Sequence, residues 1–159
     1  MENDAITPFF SRRRSLFCAG LSLFIVSACE AKPMTVTLDV VLFSYLDRPI
    51  FDVFINGKAG DSSGVYPETG GSTISGVMIP LGPQRVTWTL GGPEGMVDNG
   101  KIVAAKNQPL IKDVPSMSRY LAIYIYPDST VELLTSQYYP GTSARGEAEI
   151  KILRAKNGK

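Results

Sequence analysis

The sequence predicts an all-β domain with room for one short helix, folded as a single compact β-sandwich or a strongly twisted antiparallel sheet. Three observations lead there. Apolar and polar residues alternate over several short stretches, the period of a half-buried strand. Turn clusters drawn from 15 glycines and 11 prolines separate those stretches. No internal repeat, low-complexity tract or heptad breaks the series, and many short strands with such turns are the pattern of sandwiches and twisted sheets.

From Thr35 onward Val36, Leu38, Val40 and Leu42 fall on one face while Thr37, Asp39 and Val41 fall on the other. Phe43 and Tyr45 extend this strand to Asp47-Arg48-Pro49, where proline removes a donor, fixes φ and marks a turn. Phe51, Val53 and Ile55 resume the alternation, and Asn56-Gly57 is the strongest two-residue hairpin signal in the chain. Lys58 to Ser72, with four glycines and a proline, reads as an exposed loop. Thr73 to Ile79 forms a short strand ended by Pro80-Leu81-Gly82-Pro83. Arg85 to Leu90 forms another, with Val86, Trp88 and Leu90 on one face and a turn cluster at Gly91 to Gly95. Between Met96 and Pro115 only Lys101 to Ala105 reads as a strand.

The clearest hairpin is Arg119 to Thr135: Tyr120 to Tyr126 is rich in aromatic and β-branched residues, Pro127 to Thr130 turns, and Val131 to Leu134 returns. The last element, around Ala148 to Leu153, is open between an edge strand and a frayed helix, because Ile150 and Leu153 lie three apart while charged residues intervene.

Ahead of these elements, Arg12, Arg13 and Arg14 precede an apolar run from Leu16 to Ala28. A spanning helix needs about 20 apolar residues, so this shorter run, interrupted by Gly20, Ser22 and Ser27, fits the hydrophobic region of a secretory signal peptide. Ser15 stands where a twin-arginine signal usually has an aromatic residue, which favours the general secretory route.

Val26-Ser27-Ala28-Cys29 resembles the lipobox of bacterial lipoprotein signal peptides. The resemblance implies that the Cys29 thiol receives diacylglycerol, that the chain is cut after Ala28, and that the new amino group is acylated as well, with chains such as palmitate. Residues 1–28 are then the signal peptide, 29–33 a lipidated tether and 34–159 one β-rich domain. Two or three acyl chains hold a protein firmly, since each buried CH₂ adds about 0.8 kcal/mol. The expected location is the cell membrane or outer membrane, facing the periplasm. Cys18 lies inside the apolar run and leaves with it, so no disulfide is expected.

Charge excludes some partners. Of 16 basic residues three precede Cys29, and of 15 acidic residues two do, leaving 13 of each. Such a balance lacks the basic stripe that nucleic acid requires. Catalytic signatures are equally sparse. The chain has no histidine, which removes Ser-His-Asp and Cys-His systems and imidazole-ligated zinc. The serine clusters Asp61 to Gly64 and Gly71 to Gly76 lack G-x-S-x-G spacing and read as polar glycine loops. Asp47 and Asp52 flank a turn, and Glu147 and Glu149 would share a strand face; such acid pairs suit glycoside hydrolysis, but are far commoner as surface pairs. No enzyme, metal or other cofactor is expected. Trp88 reads as core, a ligand platform being the alternative, and Tyr138-Tyr139-Pro140 as either an interface anchor or a cover over the sheet.

The runs YLDRPIFDVFINGKAG (Tyr45 to Gly60), GGSTISGVMIP (Gly70 to Pro80), VTWTL and YLAIYIYPDSTVELL resemble a family of small proteobacterial lipoproteins with an uncharacterised domain. The resemblance covers roughly residues 40 to 135. Some members are immunity proteins encoded beside lipase effectors of type VI secretion systems. Many relatives carry adjacent cysteines where this chain has Ser75-Gly76, so a thiol-based role does not transfer, whereas a binding role does. The implied function is a periplasm-facing lipoprotein that binds and neutralises a toxic lipase effector; the alternative is a structural or assembly lipoprotein that binds another envelope protein. Its contacts are expected in three loops, with Asp61, Tyr66 and Glu68 in the first, Glu94 and Asp98 in the second, and Tyr138 and Tyr139 in the third.

Overall fold

Burial of apolar residues on alternate positions organises the chain into three layers. In the computed structural model, which describes residues 34–58, 72–156 and 158, four strands make the central sheet. They are β1 (Thr35–Ser44), β3 (Thr73–Pro80), β8 (Tyr120–Ile125) and β9 (Val131–Ser136), in the order β3-β1-β8-β9. A second sheet has the order β2-β5-β6, from Ile50–Ile55, Val86–Leu90 and Ile102–Ala104. The short pair β4 (Gly82–Pro83) and β7 (Leu110–Ile111) closes one side. The signal peptide and tether expected over residues 1–33 lie outside the described residues, as does most of the loop from Lys58 to Ser72.

One hydrophobic core joins the two larger sheets. Leu38, Val40 and Leu42 from β1 and Leu121, Ile123 and Ile125 from β8 meet Val53, Ile55, Val86 and Trp88. Trp88 is 1 % exposed, which settles it as a core residue. The predicted face of β1 therefore turns inward. The opposite face is buried too: Val41, Phe43, Tyr45, Ala122, Tyr124 and Tyr126 form a second cluster under Ile150. A sheet covered on both faces loses the apolar-polar alternation, which is why β8 reads as almost continuously apolar.

Ile150 belongs to the helix α1 (Ala144–Lys156). The open choice between strand and helix at the C-terminal end resolves to helix, longer than the expected segment. Ser143 is its N-cap: the Ser143 Oγ accepts from the Gly146 N–H at 2.9 Å, and the Glu147 N–H donates to the Ser143 carbonyl at 2.9 Å. Glu147 in the first turn and Arg154 and Lys156 in the last suit the helix dipole. Residues two apart in a helix point in different directions, so Glu147 and Glu149 do not share a face.

Two further expectations are corrected. The central sheet is mixed, not antiparallel, because β1 runs parallel to β8 with Val40 opposite Leu121 and Ser44 opposite Ile125. Asn56-Gly57 does make a turn of positive φ, 50° and 71°, closed by reciprocal bonds of 2.9 Å between Ile55 and Lys58. It does not, however, fold β2 onto the strand that follows, since β2 pairs with β5. Instead the Asn56 side chain reaches sideways, donating to Gln84 at 2.6 Å and accepting from the Arg85 N–H at 2.8 Å. The buried Gln84 amide in turn donates to the Pro80 and Gly82 carbonyls. That polar clip fixes the corner between the sheets.

Candidate functional site

The sequence-predicted contact residues separate in space. Glu94 and Asp98 lie on the β5–β6 connection, which is tied to the β1–β2 turn by Arg48: its Nε donates to the Gly91 carbonyl at 2.8 Å and its Nη1 to the Val97 carbonyl at 3.0 Å. Asp98 has φ 61° and forms an exposed pair with Lys101 at 3.3 Å. Tyr138 and Tyr139 follow β9, near Tyr120, whose partner on β1 is Asp39 in mid-strand. Asp61, Tyr66, Glu68 and the lipidation candidate Cys29 lie outside the described residues.

Tyr139 answers both alternatives for its loop. Its ring meets the Tyr120 ring edge-on at 5.5 Å and its hydroxyl lies 3.4 Å from Thr73 Oγ1, so it packs back on the sheet while remaining 54 % exposed. Tyr138 is 76 % exposed. The pair thus offers one anchored and one free aromatic side chain.

The strand leading to this pair, β9, is an edge of the central sheet. Asn107 covers its first residue: the Asn107 side chain donates to the Val131 carbonyl at 2.8 Å and accepts from the Val131 N–H at 2.9 Å. Backbone groups alternate in direction along an antiparallel strand, so Leu133 and Thr135 point their N–H and C=O groups outward as Val131 does. An uncovered edge is a template for pairing with another chain. Beside it runs a groove of about 660 Å³ between β9 and the Gly141 to Ala144 segment, and Leu134 next to it is 51 % exposed.

Tyr124, which lines that groove, belongs to a buried network of tyrosines. Tyr45 stacks on Tyr126 at 5.3 Å and Phe43 on Tyr124 at 5.0 Å; such pairs add about 0.5–1.5 kcal/mol beyond area burial. The Tyr124 hydroxyl donates to the Gly141 carbonyl at 2.7 Å. The Tyr126 hydroxyl donates to Glu132 Oε2 at 2.7 Å and lies 2.7 Å from the helix cap Ser143. Arg145 lies over the Tyr126 ring at 3.8 Å and pairs with Asp128 at 2.8 Å. Burial pushes the Tyr124 phenol up to about 12 and raises Tyr126 and Tyr45 as well. Hydrogen bonds from the Thr130 side chain and backbone, then Arg145, hold Asp128 down at about 2. These phenols stay neutral and the carboxylate stays charged and paired, which suits a scaffold and supplies no activated nucleophile.

Scanned against models of known protein families the chain matches none, and a search of curated proteins finds no relative. Among the described residues no group of three or more His, Cys, Asp or Glu side chains could hold a metal ion, and no helix is long and apolar enough to cross a membrane. The acid pair Asp47 and Asp52 is also separated in role: Asp47 pairs with Lys156 at 3.6 Å, whereas Asp52 sits at φ 48° beside the irregularity in β2.

Ser75-Gly76 has a structural explanation. Gly76 adopts φ 71° opposite the irregularity in β1 between Leu38 and Val40, and its N–H donates to Asp39 Oδ1 at 3.0 Å. That bond is the largest cause lowering the Asp39 carboxyl, ahead of Arg119. A side chain at φ 71° is strained, so a cysteine at position 76 would need a different local backbone.

Two buried donors were not legible in the sequence. Among the described residues Arg48 Nη2 and Trp88 Nε1 find no hydrogen-bond partner, and each such group costs about 1–3 kcal/mol. Both residues line a second cavity, of about 470 Å³.

Proposed function

We propose that this protein is an envelope-anchored immunity lipoprotein that binds a type VI secretion effector, a toxic lipase, and blocks it in the periplasm. The observation that carries the partner-binding part is the β9 edge, which pairs with no further strand among the described residues, continued by Tyr138 and Tyr139, 76 % and 54 % exposed. A strand of the effector adding to this edge gains main-chain hydrogen bonds, and side-chain pockets beside the edge supply specificity. Exposed tyrosines are favoured interface anchors, and here they stand on a scaffold already stiffened by the Tyr45, Tyr124 and Tyr126 network, so little ordering entropy is lost on binding. The lipobox and the resemblance stated above support delivery to the membrane and the class of partner. Lipid anchoring concentrates the inhibitor on the surface the lipase attacks.

The test deletes the gene and challenges the cells with the lipase effector encoded beside it. Protection restored by the intact gene supports the reading. Equal survival with and without the gene sinks it and leaves the binding surface to another envelope protein.

A further inference from the structure

Two cavities meet at the edge of β9. The first is the groove of about 660 Å³ that reaches the Gly141 to Ala144 segment. The second, of about 340 Å³, lies between β9 and the stretch from Leu110 to Asp113. Leu133 and Leu134 line both.

The sheet register decides which face each position of β9 serves. Leu133 and Thr135 pair with Ile123 and Leu121, which belong to the core between the two larger sheets. Glu132 and Leu134 pair with Tyr124 and Ala122, on the face under the helix. The Tyr126 N–H donates to the Thr130 carbonyl at 3.0 Å. Alternation from that bond turns the backbone groups of Glu132 and Leu134 toward β8 and those of Leu133 and Thr135 away from it. Asn107, whose amide already answers Val131 in both directions, stops an added strand at that end. A strand laid on this edge therefore has its register fixed: it pairs with Leu133 and Thr135.

We infer, resting on the strand addition proposed above, that the partner presents an extended segment of the pattern polar-apolar-apolar-basic, running antiparallel to β9, the direction that is more stable per residue. Its first and third residues, opposite Thr135 and Leu133, exchange main-chain hydrogen bonds with them and turn toward the smaller cavity. That cavity is apolar at Leu110 and Ile111 and charged at Lys112 and Asp113. Like pairs with like across strands, so a polar β-branched residue suits Thr135 and an apolar one Leu133. The second residue turns toward the larger groove and covers Leu134, which is 51 % exposed. The fourth lies opposite Glu132, the one charged residue lining that groove. Glu132 accepts from the Tyr126 hydroxyl at 2.7 Å and takes part in no ion pair among the described residues, which makes a lysine or arginine its complement.

The probe is the capped tetrapeptide Thr-Val-Val-Lys, titrated into the full-length protein in detergent micelles with backbone amide resonances as the readout. The Leu133 and Thr135 amides are expected to shift saturably. A peptide N-methylated at its first and third residues loses the donors that face β9 and is expected to produce no saturable shift. One with glutamate in place of lysine is expected to bind several-fold more weakly. Glu132→Gln keeps an acceptor for Tyr126 and is expected to erase that discrimination; should the variant fail to fold, the three titrations of the unaltered protein decide alone. Leu133 and Thr135 amides unmoved by the first peptide, or an N-methylated peptide binding as tightly as its parent, overturn the strand site. Equal binding of the lysine and glutamate peptides overturns the pattern. A dimer whose Leu133 and Thr135 amides are protected from exchange before peptide is added makes a second copy the occupant and overturns it as well. Failure of the peptide with cells still protected leaves the immunity reading standing, whereas peptide binding without protection sinks that reading alone.

Discussion

A Cβ built on Gly146 would lie 2.1 Å from Cζ of Tyr45. The helix backbone therefore rests on the tip of the phenol ring, and that ring is itself stacked on Tyr126 at 5.3 Å. Gly146→Ala tests this contact. In an exposed helix the change would stabilise by up to about 1 kcal/mol; here the overpacking should win, with a net loss of about 1–3 kcal/mol. Urea denaturation followed by circular dichroism measures the difference, and an unchanged or raised midpoint would refute the close approach.

Much of the fold was legible because burial imposes a period. The inward face of β1, the Arg119 to Thr135 hairpin and the strand around Trp88 each follow from alternation, and each forms where expected. The helix was ambiguous for a physical reason: its attachment depends less on an apolar stripe than on the Ser143 cap, the Gly146–Tyr45 contact and Arg145 over Tyr126. None of these leaves a hydrophobic period. The pairing of β2 with β5 was likewise hidden, since Asn56-Gly57 specifies a turn but not which strand lies alongside. Of the candidate site, Tyr138 and Tyr139 could be found from exposed aromatic residues in a loop, whereas the edge position of β9 depends on the order of all four strands. The unpartnered nitrogens of Arg48 and Trp88 arise from tertiary packing alone.

The buried tyrosines set an alkaline limit. An unfolded tyrosine ionises near pH 10, while burial raises Tyr45, Tyr124 and Tyr126 in the folded state, Tyr124 to about 12. The fold thus favours the neutral phenol. Its contribution is fully present below about pH 10 and is lost as pH rises toward about 12, because the unfolded chain sheds protons that the folded chain keeps. Denaturation midpoints should fall across that interval, and absorbance at 295 nm should show a late-titrating group of tyrosines. Tyr124→Phe should reduce the late amplitude; an unchanged titration would place that phenol in water.

The Cys29 expectation is chemical and separable from the rest. Cys29→Ala removes the thiol to which diacylglycerol would be joined, so acyl labelling should disappear and the signal segment should remain uncleaved. Mass spectrometry of the purified protein reads both results together. Persisting acylation at another residue would show that the lipobox resemblance misplaces the anchor, while leaving the β-domain and its open edge as they are.

Tyr138 and Tyr139 should respond differently to truncation, because their surroundings differ. Tyr139 already contacts the Tyr120 ring and Thr73, so Tyr139→Ala should cost about 1 kcal/mol of stability. Tyr138, 76 % exposed, makes no ring contact of that kind among the described residues, and Tyr138→Ala should leave stability within about 0.5 kcal/mol. Binding reverses the order. A side chain left free in the unbound protein has the most surface to bury against the effector, so Tyr138→Ala should weaken the complex by about 2 kcal/mol, roughly thirty-fold. Calorimetric titration of each variant with the effector, together with its melting temperature, separates the two effects. If Tyr138→Ala binds normally, the contact lies elsewhere on the domain; if it melts early, the residue is part of the scaffold after all.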